Sequence, residues 1–420
     1  MFRKLIGALL FGGLLAACRS EKDSAKIFVT DVEIVQSEVF APGDPVTVCA
    51  SGFEAGDRLL FDIRFPLDGE LLPEGYARGI RAVERERTEY SITVLAPGGY
   101  PASTVGLLLL RGGEVQELGT VRVSDGTPPA ESRLYGLSDE AGGMCIERLD
   151  LATGCVVDRR LVDGVASLRC PVNEYGANRI YALSERDGGC AGLLYDLTMR
   201  YQELSEQSYV AVGTVLATAA YLVHDSGRLR LEACGATRAS QPVRPVGWTL
   251  PEGLTAGMLS GAPFVYSAPC GSLLLAADCG GGTFRPVVLT LSSGDCKVQV
   301  GEPVGAGALI PFAMPLSREI DGRTQTVLAG GFAVSKPGGG VSELRLFDGV
   351  SMRFSEPFAT LDDAVCSVAV DLDGVDRSIC LLTEDGQGAR RIRIYDRRQG
   401  AWRADALGDG LPYRSIVLAR

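Results

Sequence analysis

Histidine is almost missing from this chain: of 420 residues only His224 is a histidine. A zinc site built on two or more histidines is therefore excluded, as is the HExxH motif of metalloproteases. A Ser-His-Asp or Cys-His pair would have to use His224, and no serine lies in a Gly-x-Ser-x-Gly motif. No phosphate-binding glycine loop follows a strand either. We expect no catalytic residue and no cofactor.

Basic residues and tryptophans are also few. Lys and Arg number 41 against 52 Asp and Glu, which gives a net charge of −11. A nucleic-acid partner is excluded by this balance, because phosphate binding needs a basic surface. Trp248 and Trp402 both fall in predicted outer strands, which leaves few aromatic platforms for sugars. Tyr175, Phe332 and Tyr413 are the aromatic residues that could still reach a face.

Long hydrophobic runs are missing too, and the only candidate lies at the start. Residues 5–17 are apolar and small, but they are fewer than the roughly 20 residues that a membrane-spanning helix needs. Arg3 and Lys4 precede this run. A short positive start followed by a short apolar run is typical of a secretory signal.

The end of this run, Leu15-Ala16-Ala17-Cys18, resembles the lipobox of bacterial lipoproteins. The resemblance implies a signal peptide of residues 1–17, acylation of Cys18 and a tether of residues 18–26. It also implies an outer-membrane location, on the periplasmic side or the cell surface, with the lipid bilayer as a partner. The tether resembles the surface-export signal of Bacteroidota lipoproteins. The alternative is a plain secretory signal with an incidental cysteine.

Cysteine is well represented, with 12 residues. If Cys18 carries lipid, the remaining number is odd, so the others cannot all pair within one chain. Many lie inside apolar runs, which favours free, buried thiols that behave as small hydrophobic residues. One or two disulfides stay open as an alternative, and the nearest pairs are Cys270/Cys279 and Cys145/Cys155.

Residues 27–125 contain short runs of β-favouring residues separated by Gly, Pro and Asp turns. About a hundred residues of this kind predict a small β-sandwich. The segment "PGDPVTVCASGFEAGDRLLF" resembles the opening of an IPT/TIG immunoglobulin-like module. Such modules are typically spacers or packing partners. The prolines in "GTPPAE", residues 126–131, mark a boundary.

Residues 132–420 contain one phrase six times, an apolar strand that ends in a polar, Gly-rich turn. The strands begin near residues 133, 179, 219, 272, 325 and 378, a spacing in the blade range of about 40–55 residues. Four strands a unit predict a six-bladed β-propeller, with seven blades as the alternative, and an all-β protein. Residues 413–420 are predicted to supply the missing inner strand of the first blade. The segment "RIRIYDRRQGAWRADALGDGLP" resembles a kelch repeat.

The turns after the second strand of each blade lie on one face of a propeller. These turns carry a set of acidic residues beside His224: Asp139, Glu140, Glu185, Asp187, Asp225, Asp278, Glu384 and Asp385. We take this acidic rim as the possible ligand site, because its field would attract a basic partner or a cation. The alternative is that Asp and Glu simply suit exposed turns.

Asp371, Asp373 and Asp376 resemble a fragment of a calcium loop. The terminal bidentate glutamate of that loop is missing, and an Asp-Gly hairpin turn explains the segment as well. We therefore expect no bound metal, with calcium as the alternative.

Together these patterns predict a non-catalytic, lipid-anchored envelope protein that binds a protein or glycan partner on the propeller face. One alternative is a glycan-binding lipoprotein of an uptake system. The other is a carbohydrate-active propeller enzyme, which would need a pair of carboxylates on that face.

Overall fold

The computed structural model describes residues 29–419 apart from these stretches: 36–38, 42, 63–79, 97–102, 112–113, 125–133, 141–142, 152–153, 155, 164, 166, 174–178, 187–188, 198–200, 216–217, 234–240, 243–246, 292–296, 321–322, 336–339, 373–377 and 409. The predicted signal peptide, Cys18 and the tether lie outside the described residues. Within them, no helix is long and apolar enough to cross a membrane.

The N-terminal domain consists of two four-stranded antiparallel sheets. Its strands are β1 Thr30–Val35, β2 Pro45–Ser51, β3 Arg58–Phe61, β4 Ile80–Arg81, β5 Val83–Arg87, β6 Ser91–Leu95, β7 Ser103–Arg111 and β8 Glu114–Val123. The sheet orders are β1-β2-β6-β5 and β4-β3-β7-β8. In β2 buried and more exposed residues alternate, so one face of the strand packs into the core. This is the sandwich predicted from the sequence.

A buried ion pair fixes the turn that the Gly-Asp pattern predicted in this domain. The Asp57 carboxylate is fully buried and accepts two hydrogen bonds from Arg111, at 2.6 Å from Nε and 2.7 Å from Nη2. It also accepts a bond from the backbone N–H of Glu54. Burial raises the pKa of Asp57, but the bonds from Arg111 and Glu54 outweigh it and hold that pKa below its usual value.

The described strands of residues 134–418 form six antiparallel units. The first three contain β9 Leu134–Glu140, β10 Gly143–Leu149 and β11 Val156–Asp163; β12 Leu168–Asn173, β13 Arg179–Arg186, β14 Gly189–Asp196 and β15 Tyr201–Ser208; and β16 Ala211–Val215, β17 Thr218–Asp225, β18 Arg228–Ala233, β19 Gln241–Pro242 and β20 Trp248–Thr249.

The other three units follow the same plan. They contain β21 Phe264–Ser267, β22 Ser272–Asp278, β23 Thr283–Thr290, β24 Val298–Val300 and β25 Val304–Gly305; β26 Ala308–Ile320, β27 Arg323–Ser335, β28 Ser342–Asp348, β29 Arg353–Phe354 and β30 Ala359–Leu361; and β31 Ala364–Val370, β32 Ile379–Glu384, β33 Arg390–Asp396 and β34 Ala401–Trp402. Two short 3-10 turns, Ala256–Leu259 and Ala268–Cys270, flank β21. The number of blades stays a prediction.

The last strand of the chain, β35 Ser415–Leu418, pairs with β9 and is the inner strand of the first unit. The inner strands β35, β12, β16, β21, β26 and β31 each contact the next, and β31 contacts β35, so the ring is closed. Between β16 and β21 the approach is close enough for parallel pairing of Gly213 with Phe264. A Cβ at Gly213 would collide with the Phe264 carbonyl oxygen, so only glycine fits there.

Buried serines join neighbouring units. The Ser335 Oγ accepts a bond from the Val365 N–H at 2.9 Å, and the Ser367 Oγ accepts one from the Ile416 N–H at 3.2 Å. An inner strand pairs with a strand of its own unit on one side only. On its other side, which faces the neighbouring unit, each of these bonds satisfies a backbone N–H that no strand of its own unit can reach. These bonds hold β31 against the fifth unit and β35 against β31.

One cluster of buried apolar side chains runs from the sandwich into the first and last units. It includes Phe61 and Leu109 from the sandwich and Leu134, Leu149 and Leu407 from the ring. Burying a side chain of this size stabilises the folded state by about 1.5–3 kcal/mol. The N-terminal domain is therefore packed against the seam where the ring closes.

Candidate functional site

The inner strands enclose a channel with a cavity at each end. Leu168, Ile310, Cys366 and Ser415 line a cavity of about 250 Å³, and each lies in the first half of its inner strand. We call this end the mouth and its space the mouth cavity. Residues further along the same strands line a cavity of about 120 Å³ at the opposite end, which we call the base. The inner strands therefore all run from mouth to base.

The turns after the second strand of each unit lie at the mouth, because each second strand is antiparallel to its inner strand. The structure thus brings the predicted rim residues of the described turns to one end of the channel. Asp187 lies outside the described residues, and so does the side chain of Glu140. His224 is exposed and lies on β17 beside Asp225.

Arginines offset most of the rim carboxylates. Asp139 forms an ion pair with Arg414, and Glu185 forms one with Arg169. Three further pairs are Asp225–Arg230 at 3.3 Å, Glu384–Arg390 at 2.7 Å and Asp385–Arg391 at 2.6 Å. Asp278 instead accepts a bond from the backbone N–H of Gly280. Among the described rim carboxylates all but Asp278 are therefore paired with an arginine, which weakens the field that the sequence suggested.

The turn at Asp385 is built around its carboxylate. Bonds from the backbone N–H groups of Gln387 and Ala389, with Arg391 nearby, hold the pKa of Asp385 below its usual value. This carboxylate closes its own turn, since both backbone donors belong to residues of that turn.

Two of the rim arginines also line the mouth cavity. Arg169 lies in β12, and Arg414 directly precedes β35, the neighbouring inner strand. Their side chains are 47% and 51% exposed, so both guanidinium groups remain accessible. Arg414 additionally donates from Nη1 to the Ser167 hydroxyl at 2.9 Å. The mouth is thus bordered by two positioned cationic groups.

The inner strands that flank β35 are both irregular at the mouth. Pairing of β12 with β13 shifts between Arg169 and Val172, and pairing of β31 with β32 shifts at Cys366. Cys170 has a φ of 53° and Ser167 a φ of 45°, which non-glycine residues rarely adopt. Such bulges redirect side chains and are common beside functional sites.

Two cysteines face the mouth cavity. Burial raises the pKa of Cys170 to about 12 and also raises the pKa of Cys366 above its usual value. Both therefore stay neutral thiols near pH 7. Cys270 and Cys279, the other pair that the sequence suggested, are both free thiols. Cys155, the proposed partner of Cys145, lies outside the described residues.

The base differs from the mouth. Pro311, Phe312, Ala313 and Val370 are among the residues that line its cavity, and Asp371 is the acidic one. Asp373 and Asp376, the other two members of the calcium hypothesis, lie outside the described residues. Across the part of the chain that is described, no three His, Cys, Asp or Glu side chains lie close enough to hold a metal.

Two aromatic residues expected to reach a face are buried. Phe332 is packed against Phe347 and Phe354, and Tyr413 lies under the ring seam. The expectation was wrong because both rings fill the space between strands. Trp248 is buried and Trp402 half-buried, and both lie in outer strands as predicted. Tyr175 lies outside the described residues.

Tyr413 anchors β35, the closing strand of the ring. Its hydroxyl donates to the buried Glu147 carboxylate at 2.7 Å, and Glu147 also lies 3.5 Å from Arg159. The ring covers Gly136, where a Cβ would lie 2.7 Å from the aromatic carbons. This contact fixes where β35 begins and so places Arg414 at the mouth.

Sequence reasoning missed Arg169 and Arg414 because it examined only the turns. A signal was present: "SLRCPVN" and "YRSIVLAR" each carry an arginine at or just before the start of an inner strand. Comparing the inner strands of the repeat at equivalent positions would have placed both side chains at the same end of the channel.

Comparison with known proteins identifies the domains. Residues 141–419 match a family described as the DUF4784 WD40-like domain, and residues 26–131 match the DUF4784 N-terminal Ig-like domain. These matches confirm the prediction of an all-β chain with an immunoglobulin-like domain followed by a propeller. No curated protein matches the chain.

Solved structures are similar as well. A DUF4784 family protein from Bacteroides caccae is 26% identical, with a TM-score of 0.57, over 94% of this chain and all of that one. TolB from Acinetobacter baumannii is 12% identical over 77% of this chain and 81% of that chain, with a TM-score of 0.41. An auxiliary nutrient binding protein from Bacteroides thetaiotaomicron is 10% identical over 90% and 98%, with a TM-score of 0.34.

Proposed function

The chain belongs to the DUF4784 family, and we propose that it is a non-catalytic envelope protein that binds a ligand at the mouth of its propeller. The mouth cavity of about 250 Å³, bordered by Arg169 and Arg414, is the observation that carries this proposal. Concave sites with a few convergent polar groups are typical of ligand binding.

The proposal includes a lipid anchor at Cys18, in the outer membrane and on either its periplasmic side or the cell surface. The lipobox-like sequence Leu15-Ala16-Ala17-Cys18 supports it. Two or more acyl chains give a durable anchor, since each buried CH₂ contributes about 0.8 kcal/mol. The partners proposed are therefore the bilayer and one protein or glycan ligand.

A capture experiment on intact cells tests both parts. The full chain is expressed with an affinity tag, cross-linked in place and isolated, beside a Cys18→Ala variant and an Arg169→Gln/Arg414→Gln double variant. We expect the parent to fractionate with membranes and to retain one specific protein or glycan. Cys18→Ala should lose the membrane fraction, and the double variant should lose the ligand.

Arg318→Gln is the matched control for the double variant, since Arg318 is exposed and lies on β26 beyond the base. Equal capture by the parent and the double variant would contradict a mouth site. Cleavage of a captured polysaccharide would favour a carbohydrate-active enzyme instead. Retention of an intact polysaccharide would identify the glycan-binding alternative.

A further inference from the structure

We propose that the mouth cavity binds a carboxylate group of its ligand between the guanidinium groups of Arg169 and Arg414. This inference rests on the proposed function and names the chemistry that the site recognises. The acidic turns suggested that the site would bind a positively charged group, whereas this inference gives it the opposite preference. The charged side chains that line the cavity are the cationic members of two rim ion pairs.

The charged side chains that line the cavity are both cationic. Arg169 and Arg414 line it, and no Asp or Glu is among its lining residues in the described part of the chain. Their acidic partners, Glu185 and Asp139, lie outside that lining. A group that enters the cavity therefore meets guanidinium groups first, and in a recess the attraction between opposite charges is screened less than on an open surface.

Both guanidinium groups keep donors for a ligand. A guanidinium has five N–H donors. Arg169 contacts Glu185 through Nη2, and Arg414 uses Nε for Asp139 and Nη1 for the Ser167 hydroxyl. These contacts orient each planar group and leave further N–H donors. Such a fork matches the two oxygens of a carboxylate, so the pairs on the rim position the binding groups.

The rest of the cavity wall is uncharged. Cys170 and Cys366 line it as neutral thiols, because burial raises the pKa of both. A thiol is a weak donor and brings no negative charge that would repel an anion. The wall is also held in an uncommon conformation, with positive φ at Ser167 and Cys170 on either side of Arg169. Backbone of this kind clusters at binding sites.

The floor sets how far a ligand enters. Pro171, Pro263 and Val368 line both the mouth cavity and the base cavity, so they lie between the two and form the floor of the mouth cavity. Proline has no N–H, and these side chains are apolar. A carboxylate therefore finds its donors at the level of the arginines, and the uncharged part of the ligand points either to the floor or to solvent.

Two small acids and their neutral counterparts test this on the purified full chain. Glucuronate is compared with glucose, and N-acetylalanine with N-acetylalanine amide, by calorimetric or NMR titration. The first pair represents a sugar acid and the second a peptide C-terminus. We expect at least one acid to bind, at least about tenfold more tightly than its neutral counterpart, because two charge-assisted bonds depend on the carboxylate.

Variants locate the site. Arg169→Gln/Arg414→Gln should lose about tenfold or more in affinity for that acid, and Arg318→Gln should change it less than twofold. The double variant Arg169→Lys/Arg414→Lys keeps the charge and loses the planar fork, so it should bind with intermediate affinity. Circular dichroism melting of every variant separates lost binding from lost folding.

The proposal is overturned if neither acid binds the parent, if a neutral counterpart binds as well as its acid, or if the folded Arg169→Gln/Arg414→Gln variant binds the acid with unchanged affinity. This failure is distinct from failure of the proposed function. Capture of a cellular ligand that still depends on Arg169 and Arg414, without binding of either acid, would keep the mouth as the site and reject the carboxylate.

Discussion

The two ends of the propeller channel are built from the same six inner strands, yet they differ in chemistry. At the mouth the strands begin, the turns carry ion pairs, and two arginines line the cavity. At the base the lining is mainly apolar, with Pro311, Phe312 and Val370, and one acidic residue, Asp371. The difference shows that the chemistry of the channel lining changes with position along each inner strand.

The closing strand connects the two ends. Ser415 lies at the mouth and Leu418 at the base, and Tyr413 fixes the start of the strand through Glu147. A register shift of this strand would move Arg414 away from the mouth and alter the base at the same time. We therefore expect substitutions in this shared strand to have the largest effect, substitutions at the mouth a smaller one, and substitutions at the base the smallest.

The largest effect is expected from Tyr413→Ala, which would break both ends. Loss of the buried ring and of the bond to Glu147 should lower the free energy of unfolding by about 3–5 kcal/mol. Urea unfolding followed by fluorescence measures this loss. Tyr413→Phe keeps the ring and removes only the hydroxyl, so it should cost about 1.5–3 kcal/mol. Parental stability in both variants would show that Tyr413 does not hold the closing strand.

A smaller effect is expected from Ser367→Ala, a substitution at the mouth. The Ile416 N–H would lose the Ser367 oxygen and stay buried without a partner, which should cost about 1–3 kcal/mol of unfolding free energy. Ser226→Ala, in an exposed turn, is the control and should change stability by less than about 0.5 kcal/mol. Equal melting of the two variants would mean that this bond does not join β31 to β35.

Acid should weaken the rim of the mouth through Asp385. Because its pKa is lowered in the folded protein, mainly by the backbone N–H groups of Gln387 and Ala389, its ionised form stabilises the fold. That contribution is complete above the unfolded carboxyl pKa of about 3.9 and is lost as the pH falls through the lower folded value.

Asp385→Asn should therefore lower stability at pH 7 and make stability less dependent on pH in the acid range. Urea unfolding from pH 2 to pH 7 compares the two curves, with Asp225→Asn as a control turn on the same rim. An Asp385→Asn curve parallel to that of the parent at every pH would contradict the lowered pKa.

The smallest effect is expected at the base. Ala313→Val adds two methyl groups where the base cavity has room, so acid binding at the mouth should change less than twofold. Titration of the variant with glucuronate and N-acetylalanine measures this. A larger loss of affinity for either acid would mean that the two cavities act as one site. It would contradict the claim that the mouth alone binds the ligand.

Much of the fold could be predicted from the sequence, because each unit repeats one local pattern. The segment "RLYGLSDEAGG" is repeated as "RIYALSERDGG". In the structure each segment contains the second strand of its unit, β9 in the first unit and β13 in the second. The prediction that residues 413–420 supply an inner strand rested on counting strands, and β35 pairs with β9. Local propensity and turn chemistry carry information of this kind.

The site was harder to predict because its contacts are not local. Asp139 and Arg414 lie at opposite ends of the propeller sequence, and only ring closure brings them together. The rim turns were located correctly at one end, but the turns alone could not show that arginines pair with them. The bulges at Cys170 and Cys366 add single residues to strands, and alternation of apolar residues does not show such insertions.

Hydrogen exchange of the full chain, with and without glucuronate and N-acetylalanine, tests the central claim most directly, because it observes both ends of the channel in one experiment. We predict that at least one acid slows exchange in peptides that cover residues 167–170 and 414–415, and that neither affects residues 370–372 or 418–419. Protection at the base, or none at the mouth with either acid, would contradict the assignment of the mouth as a carboxylate-binding site.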